Sequence, residues 1–322
     1  MIRRAASVAA LLLGCALIVG AWAGARFVRA YQIERGSLRP SAHRVAKPHG
    51  PFGRRLQAVV FRARDGQLVR GWYVPSRTGA AVVLCHGSGS DRTSMLDEAR
   101  ALADAGLGVL LYDSPGNGET GGAPTYGAPE RGALAGALDL LSARPDVAPA
   151  RIGAFGFSMG GYTVAQVAAV DPRIGAVALA GAPDDLNRHT RAGYASGGPF
   201  AILGAQLAQR AAGLAVRDPQ PVEVVASIAP RPLLIVAGDR DANVTPAMAR
   251  RLYAAAGAPK RLLHVAGAGH GRYSRADARY APQLVAFFVR ALTGRGPVGT
   301  WAGRKRPASL PLSFVWSRRI HS

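Results

Sequence analysis

The chain has 322 residues, of which 49% are apolar, and carries a formal net charge of +21. This is enough for one large α/β domain with flanking segments, or for two small domains. The charge does not point to a nucleic-acid partner, because it sits at the two ends and no nucleic-acid-binding motif accompanies it. Residues 1–55 hold ten Lys/Arg against Glu34 alone, and residues 295–322 hold six with no acid. That leaves 24 basic and 18 acidic residues between 56 and 294, with the arginines scattered. The 40 glycines and 22 prolines are spread along the chain and mark no single disordered block.

The chain starts with Arg3 and Arg4, followed by 21 uncharged residues from Ala5 to Ala25. That length can cross a bilayer. The preferred reading is an uncleaved signal anchor over residues 1–25. Two others stay open. Ala21-Trp22-Ala23 resembles a signal-peptide cleavage site. Leu12-Leu13-Gly14-Cys15 resembles a lipobox, although the apolar run continues past Cys15. Orientation is also contested. Arg26, Arg29, Arg35 and Arg39 outnumber Arg3 and Arg4, which favours the following domain inside. The short basic start resembles an export signal, which favours it outside, the side we expect. Basic residues beside such a span are attracted to anionic lipid.

Residues 26–55 have no clear periodicity and read as a linker. Gln57 to Ala63 and Leu68 to Val74 are strand-like and flank Asp65-Gly66, a hairpin signal. Strands and helices then alternate. Strands are expected at Ala81–Cys85, Gly108–Tyr112, Arg151–Phe155 and Ile174–Ala180. Helices are expected at Ser94–Ala105, Pro129–Ser142 and Gly160–Val170. Residues 183–229 are broken by Gly and Pro and carry no strong strand, so we expect a small cap insert. His189, Tyr194 and Phe200 are its candidate pocket residues, and Ile202, Leu203 and Leu207 are equally consistent with core. A strand at Pro232–Ala237, a helix at Pro246–Ala256, a strand at Arg261–Val265 and a helix at Asp277–Leu292 follow. Short apolar strands separated by helices imply a mostly parallel sheet with helices on both faces, over 56–294. The basic tail 295–322 is aperiodic and expected to be poorly ordered. Cys15 and Cys85 are unlikely disulfide partners by position, and no Cys/His cluster suggests a metal.

The chemistry centres on Gly156-Phe157-Ser158-Met159-Gly160, between an expected strand and an expected helix. Gly-x-Ser-x-Gly alone is a weak signal in a Gly-rich chain. Its setting is what a nucleophile elbow needs: a sharp turn that lifts the serine hydroxyl above the sheet, next to a helix N-terminus. A serine nucleophile needs a base, and the base needs an orienting acid. His270 follows the strand 261–265, at the sheet's carboxyl edge where open α/β folds bind ligands. His264 lies within that strand and reads as structural. Asp239 and Asp241 both follow the strand 232–237 and are the candidate acids. His86-Gly87-Ser88-Gly89 follows the strand 81–85, where the backbone N–H of Ser88, with that of Met159, could form an oxyanion hole.

With these residues the chain resembles the α/β-hydrolase superfamily over roughly 57–292. The resemblance is greatest to serine aminopeptidase-type and dienelactone hydrolase-type domains and to membrane-anchored bacterial esterase-like proteins. Leu84-Cys85-His86-Gly87 is similar to the family's oxyanion segment. Asp113-Ser114-Pro115-Gly116-Asn117-Gly118-Glu119 is similar to its Asp-x-x-Gly-x-Gly-x-Ser loop, with Glu119 in place of the serine. Gly238-Asp239-Arg240-Asp241 matches its Gly-x-x-Asp, which assigns the acid role to Asp241. The resemblance implies hydrolysis of an ester, amide or thioester of a small-molecule acyl substrate, with no cofactor. Acyl transfer by the same triad, or a non-catalytic binding protein on the same fold, are the rival functions. The sequence carries no signal for oligomeric state.

Overall fold

A computed structural model describes residues 2–294. The basic tail expected to be poorly ordered lies outside the described residues. The first element is α1 (Ile2–Ser37), followed by β1 (Ser41–Ala42) and α2 (Gly50–Arg55). A hairpin, β2 (Gln57–Arg62) and β3 (Leu68–Val74), leads into β4 (Ala81–Cys85), α3 (Leu96–Asp104) and β5 (Gly108–Tyr112). Next come β6 (Asn117–Gly118), α4 (Ala128–Ser142), β7 (Ile152–Phe157), α5 (Met159–Val170) and β8 (Ile174–Ala180). The insert contains α6 (Leu186–Gly193), α7 (Gly198–Ala211) and α8 (Pro221–Val224). The chain closes with β9 (Leu233–Gly238), α9 (Pro246–Ala255), β10 (Lys260–Val265), α10 (Tyr273–Ala276) and α11 (Tyr280–Thr293).

Eight strands form one sheet in the order β10-β9-β8-β7-β4-β5-β3-β2. β3 runs antiparallel to both its neighbours, β2 and β5, and every other pairing in this sheet is parallel. Five of the six parallel strands are apolar on both faces, as a sheet covered on both sides requires, and the edge strand β10 keeps Arg261 and His264 exposed. Side chains alternate between two cores. Ala81, Val83 and Cys85 of β4 pack with Leu134 and Leu138 of α4 and Val164 of α5. Val82 and Leu84 pack on the other face with Leu102 of α3 and Phe288 of α11. Each such fully buried Leu or Phe contributes roughly 2 kcal/mol.

The helix expected over 277–292 is present as α11 but begins at Tyr280, and the separate short α10 precedes it. Pro282 lacks an amide hydrogen and is tolerated only in a helix's first turn, so α11 starts two residues before it. Leu203 and Leu207 are exposed on α7 and are not core.

Residues 26–55 are not a featureless linker. α1 runs on to Ser37, and its second half lies along the cap. Ala23, Ala30 and Leu38 are buried, with Phe27 and Glu34 half-buried between them, a stripe at three-to-four-residue spacing. The chain then adds β1 beside β6 in parallel, with Ser41 opposite Asn117. His43 Nε2 lies 2.8 Å from Asp91 Oδ2. These contacts are long-range in sequence, which is why no local pattern marks them. Between residues 11 and 19 α1 touches little: Leu11, Leu12, Leu13, Leu17, Ile18 and Val19 are all exposed. From Leu11 onward the helix is long and apolar enough to cross a membrane.

Candidate active site

The β7–α5 turn sets the site. Ser158 has φ 53° and ψ −117°, a conformation that L-residues other than glycine adopt at a cost of about 1–3 kcal/mol. Its N–H donates to the Ala180 carbonyl at 2.9 Å. The glycines around it are required by close approach. A Cβ on Gly156 would lie 2.3 Å from the Gly160 carbonyl oxygen, and one on Gly160 2.1 Å from that of Cys85. Both obstacles are backbone and cannot swing away. Gly160→Ala is therefore expected to destabilise the fold by about 3 kcal/mol, measured as a drop in thermal midpoint relative to Gly193→Ala, whose Cβ would meet nothing.

Three side chains from three strand ends form a hydrogen-bonded chain. Ser158 Oγ lies 3.0 Å from His270 Nε2. His270 Nδ1 lies 2.8 Å from Asp241 Oδ2. Asp241 is buried, and its Oδ1 accepts from the amides of Asn243 (2.9 Å) and Val244 (2.8 Å). Both carboxylate oxygens are thereby fixed. Asp239, the other sequence candidate, is exposed and does not reach His270. The Phe157 ring tilts against the His270 imidazole at 4.9 Å and shields it on one side.

The loop after β4 lies against Ser158: a Cβ on Gly87 would be 3.2 Å from Ser158 Cβ. Ser88 is the next residue, and Met159 opens α5 directly behind Ser158. His86 holds this loop. It is fully buried, its Nδ1–H donates to the Gly87 carbonyl at 2.7 Å, and its Nε2 accepts the Ser114 amide at 2.9 Å. Those contacts require the neutral ring, and burial holds its pKa below the ordinary 6.5. An unfolded His86 would bind a proton first as pH falls, so its contribution is complete above about 6.5 and is lost below it. We expect stability to decline by about 1 kcal/mol per pH unit across that window. His86→Gln should flatten the slope in a series of thermal melts between pH 7 and 5.

Glu119, where the family pattern has serine, is explained by its partners. Its Oε2 accepts from Arg92 Nη2 at 2.5 Å, and Arg92 also pairs with the fully buried Asp113 and stacks 4.3 Å over Trp72. Glu119 and Asp113 thus share one buried guanidinium. Tyr126 was not singled out by sequence. It adopts φ 57°, stacks edge-on with Tyr162 at 5.6 Å, and its hydroxyl interacts with Ser88.

A cleft of about 650 Å³ opens between α1 and the cap. Arg26, Arg29 and Ile33 of α1 line one wall, and His189 and Tyr194 line the other. Asn243, two residues past Asp241, reaches it from the acid loop. His189 is close enough to His270 to feel its charge. Burial, with that neighbour, holds the His189 pKa below its ordinary value. His189 and Tyr194 were expected to line a pocket, whereas Phe200 is exposed on α7 and does not line this cleft. The α1 residues were missed because the sequence around them reads as a linker. Among the described residues no group of three or more His, Cys, Asp or Glu side chains could hold a metal.

The sheet order, the elbow and the hydrogen-bonded Ser–His–Asp geometry define an α/β-hydrolase. The chain belongs to the prolyl oligopeptidase family, whose model matches residues 93–295. It is 33% identical to a protein of Mycobacterium tuberculosis over 72% of this chain and 78% of that one. It is 27% identical to YfhR of Escherichia coli over 76% and 85% of the respective chains. Among solved structures, an esterase of Pyrococcus furiosus superposes with a TM-score of 0.66 at 20% identity, covering 79% of this chain and 98% of the esterase. Family and neighbours make this chain a hydrolase.

Proposed function

We propose that the protein is a serine hydrolase that cleaves carboxylic esters, amides or thioesters through an acyl-enzyme. The observation that carries this reading is the continuous chain from Ser158 Oγ through His270 to the buried Asp241. His270 Nε2 takes the hydroxyl proton as Oγ attacks the acyl carbon. The carbonyl becomes an oxyanion held by the amides of Ser88 and Met159. Protonated His270 returns the proton to the leaving group, and Ser158 keeps the acyl chain. Water then attacks the acyl-enzyme with His270 again as base, releasing the acid and free Ser158. Asp241 keeps the imidazole proton on Nδ1 and stabilises the imidazolium. The step consumes water and needs no redox partner.

The same reading takes α1 as a retained membrane anchor. In support, its second half is built into the hydrolase domain. Glu34 accepts from Tyr194 Oη at 2.8 Å and from Gln209 Nε2 at 2.7 Å, and a Cβ on Gly204 would lie 2.3 Å from the Phe27 carbonyl oxygen. Cleavage after Ala23 would free the span and leave that contact at a raw end. The test is a panel of short- and long-chain ester, thioester and amide substrates with product analysis. Stoichiometric acid release is expected for at least one class, and no turnover of any class would overturn the reading.

A further inference from the structure

The cleft between α1 and the cap has a definable depth relative to a bilayer. The uncharged run of α1 ends at Ala25, Trp22 is its last large exposed apolar side chain, and the cleft begins at Arg26, beyond which only Val28 and Ile33 are large, apolar and exposed on this helix. At 1.5 Å per residue, Arg26 and Arg29 lie about 6 and 10 Å beyond Trp22. If the apolar half fills the hydrocarbon layer, the two guanidiniums stand in the headgroup region. Trp22 fits the boundary, since Trp favours that interface, and Arg26 stacks over it at 4.1 Å.

Cap helix α7 continues this surface. Gly204 meets α1 at Phe27 and Gln209 meets it at Glu34, so the two helices advance together. Phe200, four residues before Gly204, is then level with about residue 23 of α1. Phe200 and Leu203 are 45% and 44% exposed. An apolar cap edge therefore borders the cleft on the side where the span leaves off.

The charge in the cleft is cationic. Arg26 donates to the Ser196 carbonyl at 3.1 Å, and Arg29 has no ion pair among the described residues. The one acid lining the cleft, Glu34, has its oxygens taken by the neutral donors Tyr194 and Gln209. Neither arginine pairs directly with Glu34, and the cleft lining carries two basic side chains against one acidic one. Guanidinium pairs of this kind suit phosphate and carboxylate groups. At the inner end, Asn243 and His189 bring the cleft to the neighbourhood of the Asp241–His270 pair. The volume is within the usual range for a ligand site.

We propose that this cleft is the substrate entrance, and that it takes acyl esters of anionic membrane amphiphiles, with Arg26 and Arg29 holding the headgroup while the acyl ester reaches Ser158. The proposal rests on the serine-hydrolase reading above. It makes the anchor helix a wall of the binding site, so that the span supplies both location and specificity.

The experiment uses the full-length protein in mixed detergent micelles. Two esters with matched acyl chains are compared, one with a phosphoglycerol and one with a phosphocholine headgroup. The readout is the ratio of their kcat/KM values within each variant, which a partial folding defect cancels. The wild type is expected to prefer the anionic lipid by about tenfold or more. R26Q/R29Q should bring the ratio to near one, and R26K/R29K, which keeps both charges, should retain part of the preference. A short soluble ester bearing a phosphate, with an uncharged counterpart, completes the set. A preference confined to the soluble pair would mean a free anion and not a lipid, and would overturn the proposal. So would a wild-type ratio near one, or an unchanged ratio in R26Q/R29Q. Absence of wild-type turnover on every ester of the set would indict the serine-hydrolase reading and not the entrance.

Discussion

Ser158→Ala is expected to lower kcat by roughly a million-fold on any substrate the wild type turns over. The size follows from the role proposed for the hydroxyl: its oxygen is the atom that would become covalently bonded, and no neighbouring group can replace it. Cys85 is nearby in sequence to the oxyanion loop, but burial pushes its thiol up to about 12, so it carries no thiolate at neutral pH. Fold stability should change little. Ser158 makes its structural bonds through its backbone, and its strained φ is retained by the glycines that flank it. Steady-state kinetics with a matching thermal melt checks both parts. A residual rate above the uncatalysed reaction should survive, because the proposed oxyanion donors and the proposed binding cleft remain.

Asp241→Asn is expected to lower kcat about ten-thousand-fold with the fold intact. Asp241 Oδ1 accepts two backbone amides, from Asn243 and Val244. An asparagine would keep its carbonyl oxygen there and turn its NH2 toward His270 Nδ1. That nitrogen would then have to accept, which moves the ring proton to Nε2. Nε2 could no longer take the Ser158 proton at 3.0 Å. The loss comes from the wrong tautomer and not from a lost contact, so the thermal midpoint should stay near that of the wild type. Asp239→Asn, on an exposed side chain one turn of loop earlier, provides the contrast and should leave kcat within about twofold.

Much of the sheet can be read from the sequence because its strands are short, apolar and bounded by turns. β4, β5 and β8 start and end at the residues expected from their apolar runs. The elbow is legible for a physical reason: Gly156 and Gly160 are places where any side chain would strike backbone. The choice between Asp239 and Asp241 is not settled by composition, since both follow β9. It depends on how the loop folds back, with Asp241 N–H donating to the Gly238 carbonyl at 3.3 Å. The second half of α1 is the largest departure. Its inward stripe is the buried Ala23, Ala30 and Leu38 with the half-buried Phe27 and Glu34, too small and too polar to stand out from the arginines between them. Its helical state and its place in the cleft come from packing on α7, a partner some 170 residues away. The inner wall of the cap is illegible for the same reason: which of His189, Phe200 and Leu203 faces the cleft is decided by the neighbour, not by the residue.

The most direct measurement is covalent labelling of the folded full-length protein with a fluorophosphonate probe, read by mass spectrometry of the modified peptide. Phosphorus attack requires an activated hydroxyl, so the probe reports the Ser158–His270 pair itself and needs no knowledge of the substrate. One adduct is expected, on Ser158, absent after heat denaturation and absent in Ser158→Ala. An unlabelled folded protein, or an adduct on another residue with Ser158 untouched, would contradict the assignment of Ser158 as the nucleophile.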